Sequence, residues 1–502
     1  MSTEADNYYR AAIARDARFD GLFFVAVTTT GIYCRPVCPA RKPLRKHCRF
    51  FGHPAAAERA GFRPCLRCRP ELAPGLAPVD ASSQVARRAI ARIQSGALDG
   101  DRSLEDLARE LGVSSRHMRR VVQQEFGAAP AELARTQRLL LAKQLLTETR
   151  LAITEVAFAS GFASLRRFNA AFLEQYRWSP TQFRRQAVAP VADSALRLRL
   201  PYHAPLAWGE LLSFLGRRAI AGVECIRGDR YTRTVALGSH RGWLEVTRPV
   251  TDSKDRDGPV TPRPAGATLQ IELSASLTPV VAAILPRLRR LFDLHARPTV
   301  IDEHLGADPS LRASVLARPG LRVPGAFDGF ELAWRAVLGQ QVSVAGATTL
   351  SGRFAERFGE PVEQPGTPLT RYSPSPATVA AARPSEIARI GVPLARARTL
   401  QRVARLAAEQ PELLSPGACI QASGAALQRL DGVGPWTASY VAMRALGDPD
   451  AFVASDLGIQ KALGQRSVAQ VLARAEPWRP WRAYAALHLW STLESKGASH
   501  AD

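Results

Sequence analysis

Thr30-Gly-Ile-Tyr-Cys34-Arg-Pro-Val-Cys38 and Gly61-Phe-Arg-Pro-Cys65-Leu-Arg-Cys68 are the stretches on which the reading of this chain turns. Each holds a close pair of thiols, and both pairs lie in one short, basic, proline-containing segment. Short spacings let each pair grip one edge of a tetrahedral metal ion while the intervening chain folds back to close the site. That is the ligand pattern of zinc. The alternative is a pair of disulfides, which belong to oxidising compartments. The chain has 7 cysteines, an odd number, and no charged start followed by an apolar run, so neither a disulfide framework nor a signal peptide is expected. Cys48, Cys225 and Cys419 stand alone and read as inert.

The residues around the quartet are more specific than its spacing. Thr-Thr-Gly-Ile-Tyr-Cys-Arg-Pro-Val-Cys, followed by Ala-Gly-Phe-Arg-Pro-Cys-Leu-Arg-Cys, resembles the N-terminal domain of the Ada proteins of the bacterial response to DNA alkylation. The resemblance covers roughly residues 5–75. It implies that Cys34 is both a ligand and the acceptor of a methyl group from a DNA methylphosphotriester, with Cys38, Cys65 and Cys68 as ligands only. It implies one Zn²⁺, both structural and nucleophile-activating. It places phosphate contacts on Thr30, Arg41 and Arg63, and leaves Pro39 where the family has a further basic residue. The chemistry is sensible, because zinc keeps a thiol deprotonated at neutral pH. Four thiolates around one Zn²⁺ carry a formal charge of about −2. Methylating one sulfur removes a negative charge, so the site repels DNA less and repair can act as a switch. The competing reading is a purely structural zinc.

Length and charge agree with a modular DNA-binding protein. The 502 residues are enough for three or four domains, and 46% hydrophobic residues can supply several cores. A net charge of +22 favours nucleic acid as partner. No run of apolar residues reaches about 18, so no membrane span and no membrane partner are expected. The expected location is the cytoplasm of a bacterium, on the nucleoid.

A second unit runs from about Ser82 to Arg185. Ser103-Leu-Glu-Asp106 is a capping box that opens a helix, and Leu104, Leu107, Ala108 and Leu111 follow a buried helical stripe. Gly112-Val-Ser114 turns the chain into a second helix, Ser115 to Phe126, that begins with Arg116, Arg119 and Arg120. The pattern recurs: Ile153, Val156 and Ala157, a turn at Gly161-Phe-Ala-Ser164, then Leu165 to Tyr176. A long helix with Leu133, Leu140, Leu141 and Leu145 joins the two. This doubled helix-turn-helix, with Gly-Phe-Ala-Ser-Leu-Arg-Arg-Phe-Asn and the late Ser179-Pro180, resembles the DNA-binding domain of AraC-type regulators. Ser115, Arg116 and Arg119, then Leu165, Arg166 and Arg167, would enter successive major grooves. Any one of these arginines could equally contact phosphate only. A promoter is then one DNA partner and RNA polymerase an expected protein partner. A linker of Ala, Val, Pro and Asp follows at 186–196.

Residues 199–292 read as a small antiparallel sheet with helices. Thr268-Leu-Gln-Ile-Glu-Leu273 and the stretch Tyr231 to Leu237 alternate as strands, and Leu206 to Leu215 and Pro279 to Leu294 read as helices. The remainder reads as helical. Leu430-Asp-Gly-Val-Gly-Pro-Trp-Thr-Ala438 is a helix-hairpin-helix, in which Gly432 and Gly434 let the backbone turn and present amides to phosphate. With Trp334-Arg-Ala-Val-Leu-Gly-Gln-Gln-Val-Ser343, Phe452-Val-Ala-Ser-Asp456 and the Trp478 to Trp490 segment, it resembles the AlkA-type 3-methyladenine DNA glycosylases over roughly 199–495. The resemblance makes Asp456 the catalytic carboxylate, aimed at positive charge that builds on the sugar. Asp456 also suits a helix N-cap, a compatible role. Trp436, Tyr440 and Trp490 match base-pocket positions, where aromatic faces attract cationic alkylpurines, or are ordinary core residues. Gln341 stands where the family carries an apolar wedge for base flipping, and Ser455 replaces a second acidic residue. No cysteine cluster follows the hairpin, so no iron–sulfur cluster is expected. No Pro-Cys-His-Arg nucleophile motif occurs, so no repair of O6-methylguanine is expected.

The fold class expected is multidomain: a small α+β zinc domain over 1–78, an all-α double helix-turn-helix over 82–186, an α+β sheet domain over 199–295 and an all-α helix-hairpin-helix domain over 296–495. The expected function joins methylphosphotriester sensing at Cys34, with a switch in transcription, to excision of alkylated purines by Asp456. The alternative is a glycosylase whose other modules only target DNA.

Overall fold

The computed structural model describes residues 4–75, 83–99, 102–186, 195–249, 267–362 and 368–498. Most of the expected 186–196 linker and the boundary at Ser82 lie outside these residues. The chain forms two compact units, residues 1–203 with 240–286, and residues 204–239 with 287–502.

The first unit begins with helix α1 (Glu4–Ala14) and a four-stranded sheet of order β3-β1-β2-β4. Its strands are β1 (Phe24–Val27), β2 (Ile32–Cys34), β3 (Cys48–Phe51) and β4 (Arg63–Pro64), with α2 (Pro54–Arg59) between the last two. Helices α3 (Gln84–Gln94), α4 (Leu104–Leu111), α5 (Ser115–Phe126), α6 (Pro130–Glu148), α7 (Ile153–Ala159), α8 (Leu165–Tyr176) and α9 (Pro180–Gln186) follow. The second helix of each helix-turn-helix has the bounds that its capping signals predict. Ser103 Oγ accepts the Asp106 N–H at 3.1 Å, and Gly112 closes α4 at φ +71°. Ser114 and Ser164 cap α5 and α8 in the same way. Leu107, Leu111, Met118 and Val122 meet in one core. On α6, which carries all four leucines expected of the joining helix, Leu133 and Leu145 are buried with Leu139 and Leu146, while Leu140 and Leu141 are half-buried. The reason is the 3.6-residue repeat, which turns neighbouring leucines to different faces. Strand β5 (Ala195–Pro201) starts inside the stretch read as linker.

Three antiparallel strands complete this unit, β5 beside β9 (Thr268–Ser274) beside β8 (His240–Thr247). Helix α11 (Val281–Leu291) comes next in the chain, after a 3-10 turn at Ala275–Val280, so it is shorter than the expected Pro279–Leu294.

The second unit holds α10 (Trp208–Gly216), which starts two residues later than expected, and the antiparallel hairpin β6 (Glu224–Arg227) and β7 (Arg230–Leu237). Twelve α-helices follow among the described residues: α12 (Pro298–Gly306), α13 (Pro309–Ala317), α14 (Gly329–Leu338), α15 (Val344–Phe358), α16 (Pro376–Ala381), α17 (Pro384–Ala388), α18 (Leu394–Glu409), α19 (Ile420–Gln428), α20 (Pro435–Arg444), α21 (Leu457–Leu463), α22 (Val468–Ala475) and α23 (Arg482–Ala498). They enclose two cores. Trp334, Phe354, Leu400 and Val441 belong to one. Ile301, Phe452, Val471 and Trp478 belong to the other. No described helix is long and apolar enough to cross a membrane.

Candidate metal centre and candidate active site

Strand pairing assembles the cysteine quartet. β2 and β4 run parallel, with Tyr33 opposite Pro64, and the Cys65 N–H donates to the Tyr33 carbonyl at 3.0 Å. That register sets Cys34 beside Cys65. A turn after each strand returns Cys38 and Cys68, the first closed by the Cys38 N–H on the Arg35 carbonyl at 3.1 Å. The four sulfurs lie within 4.8 Å of one another. Tetrahedral zinc with bonds of about 2.3 Å needs sulfur separations of about 3.8 Å, so this donor set fits the ion.

The sulfurs are not equivalent. Cys38, Cys65 and Cys68 are buried, while Cys34 is partly exposed. The Arg35 backbone N–H donates to Cys68 Sγ at 3.3 Å. The Arg35 guanidinium, itself buried, donates to the Cys68 carbonyl and forms a buried ion pair with Asp20. Burial still leaves the Asp20 carboxyl above its ordinary range, despite Arg35. Neither residue carried a signal in the sequence. Thr30 lies exposed on the β1–β2 turn, Arg41 is exposed, and Arg63 is half-buried on β4.

Buried ion pairs join this zinc-type segment to α6. Lys143 Nζ lies 2.5 Å from Glu71 and 3.2 Å from the Cys65 carbonyl. Arg69 reaches Glu71 at 2.8 Å and Glu148 at 2.9 Å, and Arg199 of β5 also reaches Glu148 at 2.9 Å. On α5 and α8, Arg116, Arg119, Arg166 and Arg167 are exposed near the helix starts, with Ser115 and Leu165 half-buried beside them.

In the second unit, the residues singled out from the sequence converge on one cavity of about 1320 Å³. It exceeds the roughly 300–1,000 Å³ usual for a small-molecule pocket. Trp436, Tyr440, Trp490, Asp456, Gln341, Gly432 and Gly434 all line it. Asp456 caps α21 by accepting the Ile459 N–H on Oδ1 at 3.0 Å. Two indoles also donate to it, Trp490 to Oδ1 at 3.0 Å and Trp436 to Oδ2 at 3.1 Å. The carboxylate is therefore held at both oxygens, with its charge spread over three N–H donors. Trp436 stacks on Tyr440, ring centroids 5.0 Å apart and planes 9° apart, so one face of each ring is covered by the other.

The wall behind Tyr440 is cationic, which the sequence did not disclose. Arg444 donates to the Tyr440 hydroxyl at 2.6 Å and to the Pro324 and Gly325 carbonyls. Arg335 is neutralised by Glu224 at 3.1 Å and Glu331 at 3.5 Å. Burial alone would raise the Tyr440 phenol, but Arg444, Arg218 and Arg335 outweigh it and bring it below its ordinary value.

The hairpin separates its two glycines. Gly432 has φ +89°, and a Cβ there would come 2.2 Å from Thr399 Oγ1. Gly434 has φ −92° with open space around it, so it does not supply the sharp turn expected of it. It serves as N-cap of α20, a position where a missing side chain leaves the first amides open. Gln341 is exposed at φ +56°, a strained setting for a residue with a side chain. Its neighbour Gln340 ties this loop to the hairpin, donating through Nε2 to the Gly432 carbonyl and to Thr437 Oγ1, both at 2.9 Å. Arg396 in turn donates to the Gln340 carbonyl at 2.8 Å.

Four family models match the chain in order. They are the metal binding domain of Ada over residues 7–71, a helix-turn-helix domain over 107–186, the AlkA N-terminal domain over 197–328, and the HhH-GPD superfamily of base excision DNA repair proteins over 334–470. Among curated relatives, the chain is 40% identical to a probable bifunctional transcriptional activator/DNA repair enzyme AlkA of Mycobacterium tuberculosis, over 98% of this chain and 97% of that one. It is 37% identical to DNA-3-methyladenine glycosylase 2 of Escherichia coli, over 58% of this chain and 96% of the relative. Residues of the zinc-type segment are 50% identical to the bifunctional transcriptional activator/DNA repair enzyme Ada of E. coli, over 14% of this chain and 19% of the relative.

Proposed function

Because the chain belongs to the family of bifunctional transcriptional activators and DNA repair enzymes of the AlkA type, we propose that Cys34 and Asp456 divide its two chemistries between them. The protein is a 3-methyladenine DNA glycosylase of an alkylation response, and double-stranded DNA is its partner. Asp456 is the catalytic carboxylate. Cleavage breaks the bond between C1′ and the purine nitrogen, the cationic alkylated base departs neutral with the bonding electrons, and water adds at C1′ and gives up a proton to solvent. Positive charge on the sugar peaks between those events, and a carboxylate fixed at both oxygens meets it with no reorganisation. Three N–H donors occupy both oxygens of Asp456, which favours electrostatic stabilisation over proton abstraction. Trp436, Tyr440 and Trp490 enclose the extruded base, while the amides around Gly432 and Gly434 take a backbone phosphate.

Cys34 is the methyl acceptor. Its sulfur attacks the methyl carbon of a methylphosphotriester, the carbon–oxygen bond breaks, and the phosphodiester leaves as an anion while Cys34 becomes a thioether. One zinc ion held by Cys34, Cys38, Cys65 and Cys68 would keep the thiols deprotonated at neutral pH. The observation that carries this half is the partial exposure of Cys34 beside three buried sulfurs. Thr30, Arg41 and Arg63 hold the DNA phosphate, and Arg116, Arg119, Arg166 and Arg167 with Ser115 engage a promoter, where RNA polymerase is the partner recruited. Functional boundaries at 1–78, 82–186, 199–295 and 296–495 fit this assignment, as does work at the bacterial nucleoid.

The test is peptide mass mapping of the zinc-loaded protein after exposure to DNA carrying methylphosphotriesters. One added methyl, confined to Cys34, is expected. Zinc bound with no methyl on any cysteine would make the quartet structural and leave the two DNA-binding modules as targeting devices.

A further inference from the structure

The rim of the glycosylase cavity carries an apolar side chain that neither the zinc chemistry nor the catalytic step uses. Leu457 is 81% exposed, the largest exposure among the large hydrophobic residues described. It lines the cavity directly after Asp456, at the first position of α21. Its mounting is rigid, because the Asp456 cap is pinned by two indoles and the Ile459 amide. The next residue must stay small: a Cβ on Gly458 would lie 3.0 Å from Asp456 Oδ1 and 3.4 Å from Trp490 Cδ1. Leu457 is about twice as exposed as Val342 and Val344, the other exposed apolar residues that line the cavity, at 40% and 43%.

Taking a base out of duplex DNA leaves a gap and unstacks its neighbours, and apolar side chains are the usual filling. The loop on the rim offers Gln341, a polar amide that gives little apolar area, followed by the short side chains of Val342 and Val344, which are less exposed than Leu457. From this, we infer that Leu457 is a second wedge. It packs into the minor groove of duplex DNA beside the extruded nucleotide and supplies apolar surface that Gln341 lacks. The occupant is duplex DNA, since Leu457 borders the cavity proposed for the flipped nucleotide and shares it with the hairpin residues Gly432 and Gly434 proposed to take a backbone phosphate. The inference rests on the reading of Asp456 as the catalytic carboxylate.

The test uses the full-length, zinc-loaded chain and its Leu457→Ala and Leu457→Met variants, checked for an unchanged circular dichroism spectrum. Release of 3-methyladenine from methylated duplex DNA is measured under single-turnover conditions. Affinity is measured for a duplex carrying a tetrahydrofuran abasic analogue flanked by 2-aminopurine, and for undamaged duplex. Leu457→Ala should lower the release rate about tenfold, weaken tetrahydrofuran-duplex binding about tenfold and blunt the 2-aminopurine brightening, with undamaged-duplex binding unchanged. Leu457→Met should recover most of the loss. An unchanged rate overturns the proposal. So does an equal loss of affinity for both duplexes, which marks a general surface contact. A slower rate with tetrahydrofuran binding and fluorescence intact would place Leu457 behind Asp456 and also overturn it. An Asp456→Asn protein that keeps the wild-type rate would sink the catalytic reading alone, since the binding and fluorescence signals do not depend on that carboxylate charge.

Discussion

The cysteine quartet and the Asp456 seat are built differently along the chain: the quartet is two pairs of residues three or four positions apart, while the indole donors to Asp456 come singly from two other helices. The quartet comes from two short loops that one parallel strand pairing brings together. Asp456 takes its donors from residues 3, 20 and 34 positions away. A site made of close ligands needs outside support to stay placed, and the quartet gets it from buried charges on α6. A site made of distant donors is itself a crosslink among α20, α21 and α23. The first should therefore fail through its supports and the second through its own members.

The largest effect expected is on the supports. Lys143→Met leaves Glu71 buried with Arg69 as its remaining partner. Breaking a buried ion pair on one side costs about 3–5 kcal/mol. Urea denaturation followed by hydrogen exchange should show residues of the first unit unfolding earlier by that amount, with the second unit unchanged. Equal protection in the variant would mean that the quartet is self-supporting and would erase the contrast.

Asp456→Asn attacks the other site through its own member. Asparagine caps a helix as well as aspartate does, so α21 should survive. The lost charge should slow 3-methyladenine release about 10²–10³-fold in single-turnover assays. Methyl transfer to Cys34 should not change.

A pH series probes the first unit through one buried carboxyl. Burial raises the Glu58 carboxyl to about 7, against the pull of Thr136 and Tyr33. Both hydroxyls donate to it, Tyr33 from β2 at 2.9 Å and Thr136 from α6 at 2.5 Å. The folded state holds this proton more tightly than the unfolded chain, whose carboxyl titrates near 4.5. The contribution to stability is complete below about pH 4.5 and is lost as pH rises through about 7. Glu58 alone should account for a loss of about 3 kcal/mol over that span, and Glu58→Gln should remove that part of the profile. A Glu58→Gln profile identical to the wild type would remove Glu58 as a link between the sheet and α6.

The same difference in distance explains what could be read from the sequence. Cys34, Cys38, Cys65 and Cys68 announce themselves because ligand spacing is local, and α5 and α8 have their predicted bounds because serine caps and glycine turns are local too. For Asp456 only the resemblance points to a catalytic role, since nothing in Ser-Asp-Leu-Gly distinguishes such a carboxylate from a cap. Its indole donors, the arginines behind Tyr440 and the Lys143–Glu71 pair were not legible at all. Each depends on packing between segments whose separation in the chain carries no pattern. Gly432 and Gly434 show the limit within one motif, because the sequence treats them alike while only Gly432 has a left-handed φ and a neighbour against its α-carbon.

The smallest effect is also the one that resolves how Asp456 is tuned. Trp490→Phe keeps an aromatic ring at the cavity wall and removes one N–H from Oδ1. Trp436 is a poorer choice, since changing it also disturbs the stack on Tyr440. A hydrogen bond to a charged group is worth about 1.5 kcal/mol at the low end, so the excision rate should fall about tenfold. The fall should appear in the single-turnover rate and not in affinity for undamaged duplex, because the indole acts on the carboxylate and not on the DNA backbone. An unchanged rate would mean that Trp436 and the Ile459 amide orient Asp456 without Trp490. The site would then draw on α20 and α21 alone, and the contrast with the quartet would narrow to the α6 ion pairs and one indole.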